Sequence, residues 1–234
     1  MNNLPFGLVL TSVVFLLSMG LGNLPLYFNP HSILIVGGGT VAILIFSNPN
    51  EVLKNMINEI KELFAQPKDL NHTKKELLKL AEGKESAAQS EDELIRYAQD
   101  LWMQGTTQEL FVVLISQKRK EIEQRSVDTI QCLKNLAKYP PALGMAGTVM
   151  GIVTLFQTLD AAKDKVGPGL AMAMTATFFG LIIANAAVMP LADRLQVRHI
   201  SRTRYLQSVY QILLLINQDE PTQLIQDEVN LRAG

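Results

Sequence analysis

Residues 139–159 read YPPALGMAGTVMGIVTLFQTL, and residues 166–192 read VGPGLAMAMTATFFGLIIANAAVMPLA. Neither stretch contains an Asp, Glu, Lys or Arg. Each is long enough to cross a bilayer, which takes about 20 apolar residues. Both are rich in Gly, Ala and Thr, a composition that suits helices packed closely on other helices rather than helices that face lipid. The two stretches therefore predict a membrane protein whose working parts lie inside a helix bundle.

Two further apolar stretches near the N-terminus complete a predicted set of four spans. Residues 1–50 contain no Asp, Glu, Lys or Arg. No basic residue precedes the first stretch and no A-x-A-like site follows it, so we interpret it as a retained span rather than a cleaved signal. Pro25 and Pro30 interrupt helices between the first two spans. The four predicted spans are 4–22, 31–47, 139–159 and 167–192.

The basic residues predict the orientation of these spans. Of the 21 Lys and Arg residues, 14 lie in 48–138, five follow residue 192, and Lys163 and Lys165 lie in the turn between the third and fourth spans. Because short loops rich in Lys and Arg remain in the cytoplasm, both polar segments and both termini are predicted to be cytoplasmic. The predicted domains are a transmembrane hairpin at 1–47, a cytoplasmic helical domain at 48–138, a second transmembrane hairpin at 139–192, and a cytoplasmic C-terminal helix and tail at 193–234.

The cytoplasmic segments are predicted to be helical. Asn48 and Pro49 suit the cap and first position of a helix, and Thr73 and Ser90 each begin an S/T-x-x-E capping box. The tail predicts an amphipathic helix that packs on a sister subunit or on the membrane surface. Its apolar face comprises Leu195, Ile200, Leu206, Val209, Leu213 and Ile216. The predicted fold class is an all-α membrane protein with four transmembrane helices, a helical cytoplasmic domain between spans two and three, and this amphipathic C-terminal helix.

The sequence lacks the motifs of enzymes. The three histidines show no metal-ligand spacing, and there is no G-x-S-x-G, H-E-x-x-H or phosphate-binding loop. The single Cys132 is interpreted as a small buried apolar residue. A net charge of −1 without a dense basic cluster gives no sign of nucleic-acid binding. We therefore predict no enzymatic activity, no cofactor, no metal site and no nucleic-acid partner.

The spans offer hydroxyl groups instead of charges. Ion pathways usually contain ionisable groups inside the membrane, so a partner would have to supply any titrating group. A threonine taken alone more often bonds its own helix or a neighbouring one than an ion. The threonines of the last two spans are Thr148, Thr154, Thr158, Thr175 and Thr177.

Glycine and proline mark the same two spans. Gly144, Gly147 and Gly151 lie on roughly one face of the third span, where they allow close approach of another helix. Pro141 begins that span, where a missing N–H costs little. Pro190 frees a carbonyl near the end of the fourth span and is expected to bend the helix.

Four stretches of the chain, in order, resemble the MotA/PomA flagellar stator subunits of the MotA/TolQ/ExbB ion-channel superfamily. They are NPHSILIVGGGT (29–40), PALGMAGTVMGIV (141–153), VGPGLAMAMTATFFGLIIANAAVMPLAD (166–193) and DEPTQLIQDEV (219–229). The last two spans carry the specific part of the resemblance. Four spans favour the MotA branch, since TolQ and ExbB have three.

The resemblance implies a homo-oligomer, a pentamer, in the bacterial inner membrane and in contact with its lipid. The pentamer would surround two copies of a MotB-like partner that has one span with an essential Asp and a peptidoglycan-binding domain. Ion flow would rotate the pentamer and turn the flagellar rotor. On the matching positions, Thr148 and Thr177 would line the ion pathway beside the partner's Asp, and Pro141 and Pro190 would be the two functional prolines.

One region departs from the family pattern, in which an Arg precedes a Gly and a Glu follows it at the contact with the rotor switch protein. Here the stretch 102–111 reads WMQGTTQELF. Glu109 corresponds to the acid, and the nearest basic residue upstream is Arg96. Two alternatives stay open: a subunit that energises another cell-envelope machine, and a non-conducting membrane scaffold. Protons are favoured over sodium as the transported ion, because Ala176 stands beside Thr177 where sodium-type relatives often carry a second threonine.

Overall fold

The computed structural model describes residues 4–19, 27–64, 70–83, 90, 92–158 and 166–233, and within these ranges all regular structure is helical. The all-α prediction is confirmed. The helices are α1 (Leu4–Met19), α2 (Pro30–Ser47), α3 (Asn50–Glu62), α4 (Leu70–Glu82), α5 (Glu93–Met103), α6 (Gln108–Leu136), α7 (Tyr139–Thr158), α8 (166–217) and α9 (Thr222–Ala233). Two of them contain π-helical segments, Leu34–Gly38 in α2 and Ile183–Val188 in α8.

The chain divides into two compact units. The first, here called the membrane unit, comprises Met1–Phe64 and Asp128–Leu195. The second unit comprises Ala65–Val127 and Gln196–Gly234. The domain boundaries given above concern where the chain enters the membrane, and they stay predictions.

Among the described residues, three helical stretches are long and apolar enough to cross a membrane: Pro30–Ser47, Gln108–Gln157 and Gly169–Asn217. The first contains the second predicted span, and the other two cover most of the third and fourth predicted spans. The described part of α1 has 16 residues, fewer than the roughly 20 that a spanning helix needs. The end of the first predicted span (20–22), Pro25 and the turn at 159–165 with its two lysines lie outside the described residues.

The membrane unit has an apolar cluster next to its spans. Met56 of α3 and Leu63, the residue after that helix, pack with Leu133 of α6 and with Ala192 and Leu195 of α8. Cys132 belongs to the same cluster and is 6% exposed, as the sequence predicted. This cluster brings α3, the end of α6 and residues 188–195 of α8 together in one apolar core.

The second unit is built around the tail that was predicted to be amphipathic. Leu206, Val209, Leu213 and Ile216 of α8 are buried together with residues of α4, α5, α6 and α9. The apolar face of the tail is therefore covered by helices of its own chain, not by the sister subunit or membrane surface expected from the sequence. Ile200 is an exception, because its side chain is 47% exposed.

Three capping predictions are wrong. The N-cap of α3 is Pro49, whereas Asn48 follows α2 and its amide donates to Leu44 O at 3.0 Å. The N-cap of α5 is Asp92, whose carboxylate accepts from the backbone N–H groups of residues 94 and 95. Thr73 lies inside α4, and Ser90 lies two residues before the Asp92 cap. The hydroxyls of Thr73 and Ser90 instead contact Tyr205 and Glu76, respectively. The spacing of residues in the sequence does not reveal these contacts.

Candidate functional site

Two threonines predicted to line an ion pathway meet in the membrane unit. Thr148 of α7 and Thr177 of α8 form a hydrogen bond between their hydroxyl groups. Thr148 Oγ1 also lies 3.0 Å from Gly144 O and 3.1 Å from Ala173 O. Thr177 Oγ1 lies 3.4 Å from Gly144 O. Here these two side chains are called the threonine pair.

Glycines let α7 and α8 approach closely enough for this contact. A Cβ on Gly144 would lie 2.9 Å from Ala176 O, and one on Gly147 would lie 2.7 Å from Ala176 Cβ. A Cβ on Gly151 would lie 2.9 Å from Ala173 Cβ. Since carbon atoms do not pack this closely, all three glycines that the sequence singled out leave room for α8.

A fourth glycine of this interface, Gly180, was not predicted from the sequence. A Cβ on Gly180 would lie 2.5 Å from Pro140 O and 3.2 Å from Pro141 Cα. Gly180 therefore lets the first turn of α7 rest on the α8 backbone. No spacing signal distinguishes this glycine from others in an apolar helix.

The threonine pair has unused hydrogen-bonding capacity. Each hydroxyl has one proton to donate and two lone pairs to accept with. Both side chains are half-buried, and the carbonyls around them accept protons and donate none. The pair can therefore accept a hydrogen bond from a protonated carboxyl group or water, or offer oxygen to a cation. It carries no charge, so it cannot itself bind and release a proton near neutral pH.

The other candidate threonines lie apart from the pair. Thr154 is exposed and donates to Met150 O of its own helix at 2.9 Å. Thr175 is buried on the α2 side, where its Oγ1 lies 3.1 Å from Ser32 Oγ. Ser32 was not singled out from the sequence. The side chain of Thr158 lies outside the described residues.

The two candidate prolines lie at different kinds of position: Pro141 in the first turn of a helix and Pro190 inside a helix, where a proline favours bending. Pro141 lies in the first turn of α7, where its missing N–H has no helical partner to lose. Pro190 lies two residues after the π-helical segment Ile183–Val188 of α8. Its ring removes the N–H that would bond the carbonyl of Ala186. A proline beside a π-helical turn is a known cause of local bending.

The two candidate rotor-contact residues are exposed in the second unit, Arg96 on α5 and Glu109 in the first turn of α6. Between the two helices Gly105 has a φ of +67°, the left-handed conformation that glycine adopts most easily at a helix end. Met103 and Leu110 beside it are 66% and 50% exposed.

Either Trp102 or Met103 occupies the region where the resemblance implies an Arg, and of these two Trp102 packs against the core of the second unit. Its ring stacks on Phe111 with a centroid distance of 5.1 Å, and its indole N–H donates to Asn217 Oδ1 at 3.0 Å. The side chain is therefore fixed to the core of the second unit. Glu109 is left as the charged group of the 102–111 stretch.

Ion pairs in the second unit shift the pKa of two acids. Burial would raise the pKa of Glu93, but the hydrogen bond from Lys118 and the charges of Arg125 and Lys118 hold it below its usual value. The pKa of Glu121 is also lowered, chiefly by its hydrogen bond with Arg125. In the same unit, Tyr205 donates to Asp92 Oδ2 at 2.9 Å, and burial raises the pKa of its phenol.

Two family models together match residues 6–208 of the chain. Residues 86–208, more than half of the 234, match the MotA/TolQ/ExbB proton channel family, and the chain belongs to this family. Residues 6–91 match a second model, Motility protein A N-terminal. The resemblance noted from the four sequence stretches is confirmed.

Individual relatives agree with the family models. Motility protein A of Aquifex aeolicus is 24% identical over 223 residues, which cover 88% of this chain and 87% of that protein. Chemotaxis protein PomA of Vibrio alginolyticus is 38% identical over 63 residues, 27% of this chain and 24% of PomA. The solved structure of C. jejuni MotAB matches with a TM-score of 0.76 and 17% identity, covering 97% of this chain and 95% of that chain. At that identity the match shows a shared fold.

Proposed function

We propose that this chain is an ion-conducting stator subunit of the flagellar motor, which forms a channel with a MotB-like partner and couples proton flow to rotation. The threonine pair carries the proposal. It places two hydroxyls together at an uncharged helix interface, in a chain that belongs to a proton channel family.

The missing titrating group defines what the partner must supply. A carboxyl group inside the membrane is costly when charged and marks an ion route. When protonated, it can donate to Thr148 Oγ1 or Thr177 Oγ1; when ionised, it can accept from one of the two hydroxyls. The threonine pair can therefore hold the partner's carboxyl group in both protonation states while a proton passes.

The assembly proposed is a pentamer around two copies of the partner in the inner membrane, with four spans per chain and both termini in the cytoplasm. Met145, Val149 and Val153 support the oligomer, because they form an exposed stripe at four-residue spacing along α7. Such a stripe can pack on a neighbouring subunit. Five subunits would surround the partner's helices with five threonine pairs.

Protons are proposed as the transported ion, with sodium as the alternative. Sodium needs several oxygen ligands to replace its water, whereas a proton needs a carboxyl group and a hydrogen-bonded route. Ala176 is 1% exposed and faces the glycines of α7. Thr175 turns its hydroxyl toward Ser32 instead of toward the pair. Among the described hydroxyl groups of α7 and α8 near this site, the two of the threonine pair are then available to bind a sodium ion.

A second candidate function is the energising of another envelope machine within the same family. The observation in its favour is that the region where the resemblance implies a rotor-contacting Arg holds the uncharged Trp102 and Met103, and that Trp102 is bound to Asn217 and Phe111. Contact of Arg96 and Glu109 with a flagellar switch protein remains a proposal. The membrane half of the mechanism would be the same in both cases.

The test is rotation of tethered cells in a host strain without its own stator genes, supplied with this chain and a MotB-like single-span partner. We expect rotation that a protonophore stops and that external sodium does not alter. An assembled complex that never turns the flagellum would remove the flagellar role. Rotation that vanishes without sodium and returns on its addition would replace protons by sodium.

A further inference from the structure

A second pair of hydroxyls lies on the other side of α8. Ser32 of α2 is fully buried at 0% exposure and Thr175 of α8 is 7% exposed, and their hydroxyl oxygens are 3.1 Å apart. A hydroxyl in apolar surroundings costs free energy unless it is hydrogen-bonded. This contact therefore ties α2 to α8 inside the membrane unit.

Both residues of this contact are also held by neighbours close in sequence. Thr175 Oγ1 donates to Ala171 O at 2.8 Å, and either hydroxyl can be the donor in the bond between Ser32 and Thr175. Ser32 is itself placed by the start of α2, where Asn29 Oδ1 accepts from the backbone N–H groups of His31 and Ser32 at 3.0 and 3.4 Å.

The segment 173–177 of α8 is held from two sides. On the α7 side, Ala173 O lies near Thr148 Oγ1, and Ala176 packs where Gly144 and Gly147 have no side chain. Thr175 and Thr177 are two residues apart, which turns their side chains about 200° from each other around the helix axis. The contact with Ser32 opposes the contact with α7, so it resists rotation of this segment about the helix axis.

We propose that Ser32 is a positioning residue for the threonine pair: by holding Thr175 from the α2 side, it keeps the Thr177 hydroxyl against Thr148. The inference rests on the proposed function, because it assigns Ser32 to the ion pathway through that pair. Nothing in the family matches or in the sequence motifs assigns this role to Ser32. Ser32 does not touch the ion itself.

Rotation of tethered cells by the whole complex, followed against external pH, tests the role in transport. Ser32→Ala is expected to slow rotation about threefold, the factor that corresponds to one interhelical hydrogen bond in a membrane. The pH of half-maximal rotation is expected to move in the same direction as in Thr177→Val. Ser32→Thr keeps a hydroxyl and is expected to restore both. Ser47→Ala is the matched control, since Ser47 is exposed on the same helix and donates to Ile43 O at 2.7 Å.

A double-mutant cycle on the melting temperature of the purified complex tests the bond itself. Ser32→Ala and Thr175→Val are expected to be non-additive, because either one removes the shared bond. Additive effects would overturn the bond. Non-additive melting with an unshifted pH profile, or wild-type rotation rate in Ser32→Ala, would leave a packing contact only and overturn the positioning role. A wild-type complex without ion-dependent rotation would refute the proposed function. That result can be told apart from the outcomes above, because it is measured before Ser32 is changed.

Discussion

At the scale of single residues, hydroxyls of the membrane unit form hydrogen bonds with residues far away in sequence. The family resemblance singled out Thr148 and Thr177, the structure places their hydroxyls in contact, and their role in the ion pathway stays a prediction. Ser32 could not be predicted, since its partner is 143 residues away and no periodicity records such a contact. Trp102 likewise stands in a region that the resemblance marks as functional, yet its side chain serves the core.

The first prediction concerns the threonine pair. Thr148→Val and Thr177→Val keep the shape of the side chain and remove the hydroxyl. Each is expected to slow rotation about tenfold or more, the effect of losing one hydrogen bond to a charged group. The complex should still assemble, as co-purification with the partner would report. Normal rotation in both variants would assign the hydroxyls to packing.

The second prediction concerns Glu93 and acid stability. The folded state lowers the pKa of Glu93, so the ionised group stabilises the fold above its unfolded pKa of about 4.3, and this contribution is lost as pH falls through the lower, folded pKa. Glu93→Gln is expected to melt at a lower temperature than wild type between pH 7 and 5, and the difference should shrink below the unfolded pKa of about 4.3 and vanish at a pH below the folded pKa. Glu121→Gln is the control, because that side chain is more exposed and its ion pairs are screened by solvent. A difference that persists unchanged into strong acid would refute the charge-based explanation.

At the scale of helices, hydropathy predicts which segments are helical, and tertiary contacts decide how they begin and touch. The predicted spans at 31–47, 139–159 and 167–192 coincide with α2, α7 and the first part of α8. The capping boxes failed because the Thr73 hydroxyl lies 2.9 Å from Tyr205 Oη and Ser90 donates to Glu76 at 2.7 Å. The π-helical segments were not predicted at all, since their sequences look like ordinary apolar helix.

The third prediction concerns close packing of α7 on α8. Gly147→Ala would place a Cβ 2.7 Å from Ala176 Cβ, so the helices must separate and the threonine pair must open. We expect lower thermal stability by about 1–3 kcal/mol, the usual cost of overpacking, and a loss of rotation. Gly37→Ala is the control, because no atom lies within 4 Å of its added Cβ. Equal behaviour of the two variants would argue against a tight α7–α8 contact.

At the scale of the whole molecule, the chain forms two units with separate apolar cores, and charged residues are separated from the predicted spans. The composition predicted that separation, because the charges avoid the spans. It could not predict that residues 48–64 and 128–138 join the membrane unit, since their amphipathic patterns fit either unit. The C-terminal tail shows the same limit, as a helix's apolar face does not say which surface will cover it.

The fourth prediction concerns assembly. A single chain leaves the threonine pair half-buried and Met145, Val149 and Val153 exposed, and neighbouring subunits and the partner would cover these side chains. We therefore expect the detergent-solubilised complex to have the mass of five 25.9-kDa chains plus two partner chains, measured by native mass spectrometry. One copy of this chain bound to the partner would contradict the pentamer.

The uncharged spans also have a consequence for the ion gradient across the cell membrane. A subunit with no Asp, Glu, Lys, Arg or His in 139–159 or 166–192 has no group in these spans that exchanges protons near neutral pH. Overproduction of this chain alone should therefore be harmless to growth and to cytoplasmic pH. Leakage becomes a hazard only when the partner is present, so its synthesis and placement are the steps at which a cell would need safeguards.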